Sequence, residues 1–211
     1  MPKVSAKKRV RLNPAEREEQ ITTAAIAFAA ERGLNFSTRE FADYCGVSQS
    51  LLYRYFSSKE KIVERIYETV YLGRWDPTWE DVLLDRSKSV EDRLGAYLRS
   101  YCKVVLRKDW VRIYLLSSFE EPMIAQKYTR LLRRRIFQPL LQELLHEEGL
   151  SPLRTKDAEE MAYDLIWSFH SSFFYIGIRT WVYEIHHSLD MDRTVADRTA
   201  MFLAGFRLYL A

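Results

Sequence analysis

Residues 37–61 read STREFADYCGVSQSLLYRYFSSKEK, and they set the architecture of the first third of the chain. Ser37-Thr38-Arg39-Glu40 is a capping box, in which a hydroxyl and a carboxylate three residues later satisfy the free N–H groups of a helix start. A short helix burying Phe41 and Ala42 follows. Gly46 stops it, since glycine accepts a left-handed backbone at little cost. Ser48 caps another short helix, carrying Leu51, Leu52, Tyr53 and Phe56. Ser57-Ser58-Lys59-Glu60 repeats the box and opens a helix with Ile62, Val63, Ile66 and Val70 at helical spacing.

Upstream, Asn13-Pro14-Ala15-Glu16 supplies an N-cap, a proline at the first helical position and a glutamate at the third. Ile21, Ala25, Phe28 and Ala29 then share one face, and Gly33 ends that helix. Four helices therefore fill residues 14–72. Downstream, Trp75–Arg86 is irregular, either a short helix or a loop. Longer helices are expected at roughly 89–107, 109–118, 122–147, 152–185 and 191–210. Ser89 with Asp92, Pro122 and Ser151-Pro152 mark three starts, Gly149 marks a stop, and Pro139 predicts a kink. The fold class is all-α. The division is a basic N-terminal arm (1–13), a helix-turn-helix domain (14–72) and a second helical domain (73–211).

The 211 residues are 47% hydrophobic and 29% charged, which excludes a disordered or collagen-like chain. Two cysteines, Cys45 and Cys102, are too few for a disulfide scaffold, so a reducing cytoplasm is the simplest compartment. No apolar run is long enough to span a membrane, and Met1–Leu12 lacks the apolar stretch of a signal peptide. The net charge of +3 is unevenly spread. Lys3, Lys7, Lys8, Arg9 and Arg11 stand in the first twelve residues with no acid among them, and the rest of the chain is slightly net negative. Tyr44–Lys59 is a second acid-free stretch. A basic surface on a near-neutral body fits an anionic partner at one end of the molecule, the alternative being a solvated tail.

In a helix-turn-helix the first helix crosses the DNA backbone and the second enters the major groove with its N-terminal residues on base edges. Ser48, Gln49 and Ser50 supply the polar turn this requires, and glutamine can make two hydrogen bonds to adenine. Val47, Leu52 and Phe56 fall opposite and anchor the helix to the core. Tyr53, Arg54 and Tyr55 suit phosphate contacts that fix register. Lys59 and Thr38 each sit in a first helical turn, where free N–H groups and the helix dipole favour a phosphate.

The residues Ser37-Thr38-Arg39-Glu40-Phe41-Ala42, Cys45-Gly46-Val47-Ser48, Leu52-Tyr53-Arg54-Tyr55-Phe56 and Ser58-Lys59-Glu60 strongly resemble the TetR family of transcriptional repressors. The resemblance covers about residues 15–70. It implies an all-helical homodimer on palindromic, double-stranded operator DNA. Thr38, Tyr53, Tyr55 and Lys59 would contact phosphates; Ser48, Gln49, Ser50 and Arg54 would face bases. Leu51 departs from the pattern, standing where the family often has a small residue or threonine that touches DNA. It either packs on a thymine methyl or faces the core.

Residues 75–211 are rich in aromatics, and apolar walls with a few polar tips describe a small-molecule pocket between helices. Tyr97, Tyr101, Tyr114, Phe119, Trp167, His170 and Phe174 are the pocket candidates. The resemblance implies an inducer site here, for a small, largely apolar or aromatic effector. No cofactor motif is present, and His146, His170, His186 and His187 lack metal-ligand spacing. An enzyme built on His170 as base finds no nucleophile, and Glu159-Glu160 diverge on a helix. Arg133-Arg134-Arg135 is expected to pair with Glu143, Glu147 or Glu148, or to be solvated. The last two long helices are expected to form the dimer seam, with Trp167, Phe173, Ile176, Phe202, Gly205 and Leu208 contributing. The expected function is a ligand-released repressor; a regulator gated by a partner protein is the alternative.

Overall fold

Helix α1 (Pro14–Arg32) begins as its first residues dictate. The Asn13 side chain accepts from the Glu16 N–H at 2.9 Å, and the Asn13 N–H donates to the Glu16 carboxylate at 2.8 Å. Gly33, at φ +82°, ends it in a conformation that side-chain-bearing residues avoid. The computed structural model describes residues 12–120, 122–186 and 188–210, so the basic arm lies outside the described residues except for Leu12 and Asn13.

Helices α2 (Thr38–Tyr44) and α4 (Lys59–Tyr67) pack against α1, and α3 (Gln49–Tyr55) packs against α2. Between α2 and α3, the Gly46 N–H donates to Asp43 O (3.1 Å) and the Val47 N–H to Ala42 O (3.0 Å), with Gly46 at φ +65°. That closes α2's last carbonyls and turns the chain sharply. Phe28 holds the small core through edge-on contacts with Phe36 and Phe41 at centroid distances of 5.2 and 5.8 Å. The box expected at Ser57 does not form. Phe56 is buried in extended conformation, which delays the helix by one residue. Ser58 becomes the N-cap and makes no side-chain capping bond.

Helix α4 continues through a π-helical turn (Glu68–Leu72) that carries Val70 and Tyr71 into the C-terminal core, where Tyr71 Oη donates to Trp110 O at 3.1 Å. The irregular stretch contains α5 (Thr78–Leu84). Then come α6 (Val90–Val105), α7 (Lys108–Glu120), α8 (Met123–Leu132), a second π-helical turn (Arg133–Phe137), α9 (Gln138–Glu147), α10 (Lys156–Trp181) and α11 (Met191–Leu210). No strand occurs among the described residues. No described helix is long and apolar enough to cross a membrane.

Three expectations need correction. The single helix expected at 122–147 is interrupted by the π-helical turn, which ends two residues before Pro139 in the first turn of α9. The helix expected at 152–185 is shorter at both ends: Thr155, not Ser151, caps it by accepting from the Ala158 N–H at 3.2 Å, and it ends at Trp181. The arginine triplet does not reach the glutamates of α9. Arg133 pairs with Glu160 and Arg135 with Glu80, because Glu143 and Glu147 are already taken by Arg93 and Glu148 by Arg207.

Helix α7 joins the two halves. Arg112 Nε donates to Ala30 O (2.6 Å) at the end of α1, while its Nη1 donates to Trp181 O (3.2 Å) at the end of α10. A cation on the terminal carbonyls of two helices answers both their unpaired acceptors and their dipoles. Glu120 accepts from the Leu34 N–H at 3.1 Å, and the space above Gly33 is filled by the same carboxylate. Arg65 pairs with Glu18 at 2.5 Å, tying α4 to α1. On the far side of α7, Gly177 lets α10 close in; a Cβ there would stand 2.6 Å from Val111 Cγ2.

Candidate nucleic-acid interface

The exposed tip of α2 and α3 is a connected polar layer. Gln49 Nε2 donates to Thr38 Oγ1 at 2.9 Å, and Thr38 Oγ1 is bonded to Tyr53 Oη at 2.9 Å. Two expected phosphate contacts and one expected base contact thus form one unit bridging the two helices. Ser48 Oγ accepts from the Leu51 N–H at 3.1 Å, fulfilling its capping role, and lies 3.0 Å from Ser50 Oγ. Ser48, Gln49, Ser50, Tyr53 and Arg54 are exposed, Tyr53 to 45% despite its ring; Thr38, Tyr55 and Lys59 are half-buried.

The opposite side of α3 anchors it. Leu52 and Phe56 are buried, and Val47 and Tyr55 pack against the core. Tyr55 therefore divides its surface between packing and solvent, as an amphipathic ring can. Leu51 is half-buried, between the two positions open to it in the sequence. Lys59 Nζ lies 5.0 Å from the Phe36 ring centroid, which holds the ammonium at the first turn of α4. Arg54 makes no ion pair among the described residues, so its charge is uncompensated on this face.

Sequence reading passed over Arg39. It is exposed beside Thr38 in the first turn of α2 and makes no ion pair among the described residues. Its one available signal was its place in that turn, beside a residue already suspected of meeting phosphate.

The family model described as bacterial regulatory proteins of the tetR family matches residues 21–66, from the middle of α1 to α4. The chain carries a TetR-family DNA-binding domain. A curated relative, the HTH-type transcriptional repressor KstR2 of Mycolicibacterium smegmatis, is 29% identical over 102 residues. The match covers 48% of this chain and about half (49%) of that relative's length. Two solved structures share the fold over nearly the whole chain. A TetR-like transcriptional regulator from Rhodococcus sp. RHA1 matches with TM-score 0.66 and 18% identity, over 92% of this chain and 100% of the other. A TetR family transcriptional regulator from Pseudomonas syringae pv. tomato str. DC3000 matches with TM-score 0.63 and 20% identity, over 92% and 97%. The TetR-like architecture therefore extends past the matched domain, through helices whose sequence has diverged.

Within the C-terminal half of the chain, most of the pocket candidates come together. Tyr97 Oη is bonded to His170 Nε2 at 2.8 Å, and the imidazole centroid lies 4.3 Å from the Tyr101 ring and 5.0 Å from Phe137. Burial pushes the His170 pKa down to about 3, so the ring is neutral and serves as a polar partner for a tyrosine inside an aromatic core. Tyr114 pairs with Thr129 through a 3.2 Å bond and with Phe174 edge-on at 5.2 Å. Trp167 lines an open cleft of ≈ 200 Å³ beside this cluster. Phe119 departs from the expectation. It is 81% exposed near the end of α7 and faces none of the others.

Proposed function

We propose that the chain is a dimeric, cytoplasmic transcriptional regulator that represses by binding a palindromic operator and is released by a small molecule held in its C-terminal half. The observation that carries this reading is the outward-facing Thr38–Gln49–Tyr53 layer on α3 and its neighbour. Gln49, with Ser48, Ser50 and Arg54, reads base edges. Thr38, Tyr53, Tyr55 and Lys59 hold phosphates. Tyr53→Ala and Lys59→Ala should each weaken binding on all sequences alike. Lys59→Ala should also flatten the slope of log affinity against log salt by about one, whereas Tyr53→Ala removes no charge and should leave the slope unchanged. Fluorescence anisotropy across a salt series measures this; an unchanged slope in Lys59→Ala, or unchanged affinity in Tyr53→Ala, would remove that residue from the phosphate set.

Dimerisation is assigned to the face shared by α10 and α11. Leu165, Phe169, Met201, Phe202 and Tyr209 line an open apolar groove of ≈ 460 Å³, and Met201 and Leu208 are largely exposed. Phe169 and Phe202 stack at 4.2 Å, forming a flat floor. Phe173 and Ile176 do not belong to this seam, because both are buried within the protomer. Gly205 lies on the groove and would allow close approach of a partner helix. Met201→Glu should convert a dimer to a monomer in sedimentation velocity while leaving the helical circular dichroism intact.

Release follows from a population shift: a ligand that prefers the dimer with its reading heads splayed lowers operator affinity by that preference. Arg112 and Glu120 carry the motion, since they fasten the end of α1 to α7 and α10.

A further inference from the structure

The cleft between the second π-helical turn and α10 has an unusual composition. Its walls are aromatic: Phe137 and Trp167, edge-on at 5.1 Å, with Tyr163 beside them. Its acids, Glu160 and Asp164, stand one turn apart on α10, which places both on one face. The one cation lining it, Arg133, occupies both recognition elements at once. Its guanidinium lies 4.3 Å from the Tyr163 ring centroid and bonds both Glu160 oxygens, at 3.1 and 2.5 Å. An aromatic face and a carboxylate fork are the two groups that recognise an organic cation.

We propose that this cleft binds a small organic cation, an amidine, guanidine or amine on a compact apolar body, and that Arg133 is the built-in occupant it displaces. The inference rests on the ligand-responsive reading above and names the chemical class of its ligand. Three observations carry it. Arg133 and Glu160 are each nearly half exposed, so solvent already weakens their attraction and exchange costs little. Asp164 lines the cleft and makes no ion pair among the described residues, leaving a second carboxylate for the incoming charge. An anion would instead face two carboxylates against one guanidinium. The volume of ≈ 200 Å³ is below that of drug-sized sites, which limits the body to one ring or a short chain.

Displacement also reaches the rest of the fold. Arg133 opens the π-helical turn that ends in Phe137, whose ring packs on His170. Two residues on, Arg135 pairs with Glu80 of α5 and lies over Trp75. A cation that releases Arg133 therefore loosens a turn tied both to the aromatic cluster and to α5.

The test uses the full chain and calorimetric titration with benzamidine, phenethylamine and benzoate, without DNA. The cations are expected to bind and benzoate is not. Arg133→Ala should tighten benzamidine binding several-fold by removing the competitor, whereas Glu160→Gln should weaken it by about tenfold by removing the fork. Asp164→Asn, at an exposed position, gives a milder loss and guards against a folding defect in the Glu160 variant. Preference for benzoate, or benzamidine binding that is weakened or lost in Arg133→Ala, would overturn the proposal. Operator release is read separately. A cation that binds but leaves operator affinity unchanged retires the ligand-responsive reading and keeps the site.

Discussion

Arg93→Ala is expected to destabilise the protein by about 3–5 kcal/mol, the range for stripping one partner from a buried ion pair. Arg93 is 1% exposed on α6. Its Nη1 donates to Leu83 O at 2.7 Å and to Glu143 Oε2 at 2.8 Å, linking α5, α6 and α9. Truncation leaves the Leu83 carbonyl without this donor and the buried Glu143 carboxylate supported only from the rim by Arg86, at 2.8 and 3.0 Å. The remaining support sets the expectation near the low end. Arg86→Ala, which removes the exposed half, should cost only about 1 kcal/mol. Urea denaturation measures both, and equal losses would contradict the assigned asymmetry.

The same cluster sets an acid limit. The Arg86 guanidinium, with that of Arg93, holds the Glu143 carboxyl down at about 2 against the opposing effect of burial, from an ordinary value of 4.5. A carboxyl whose pKa is lowered in the folded state contributes stability that is complete above its unfolded pKa. That contribution is lost as pH falls from about 4.5 toward about 2. Glu143→Gln should therefore flatten the acid limb of stability in that window.

The second large effect is on sequence preference. Gln49→Ala should alter discrimination at one base pair of each half-site by about 1–3 kcal/mol, the worth of a bidentate side-chain contact. In the free protein one N–H of the Gln49 amide is spent on Thr38. The carbonyl and the second N–H remain for a base, so recognition can proceed without breaking the link to Tyr53. Because Gln49 neutralises no phosphate, the salt slope should not change. Competition binding with single-base variants of the operator separates the two outcomes. A uniform loss across all variants would make Gln49 a positioning residue of the Thr38–Tyr53 layer.

Much of the reading tip was legible because its signals are local. The asparagine and serine caps at Asn13, Ser37 and Ser48 and the glycine at 46 act within five residues, and each forms as its chemistry requires. Pairings across the fold carry no such signal. Nothing in residues 86–93 points to Glu143, and nothing in Arg112 points to the end of α1. Apolar periodicity also failed to separate two faces of α10. The helix is apolar on more than one stripe, so Phe173 and Ile176 satisfy the same pattern as Phe169 while facing the protomer's own core. Phe119 shows the converse limit: aromatic character alone does not say which face of a helix meets a neighbour.

Binding-site selection from a random pool of duplexes decides whether the tip of α3 reads an operator. Enrichment is expected for an inverted repeat whose half-site centres lie about 34–36 Å, or a multiple of that, apart along the helix axis. That enrichment should be lost with Gln49 and Tyr53 both replaced by alanine. A pool that stays random at low ionic strength, or an enriched site unaffected by that double replacement, would contradict that role.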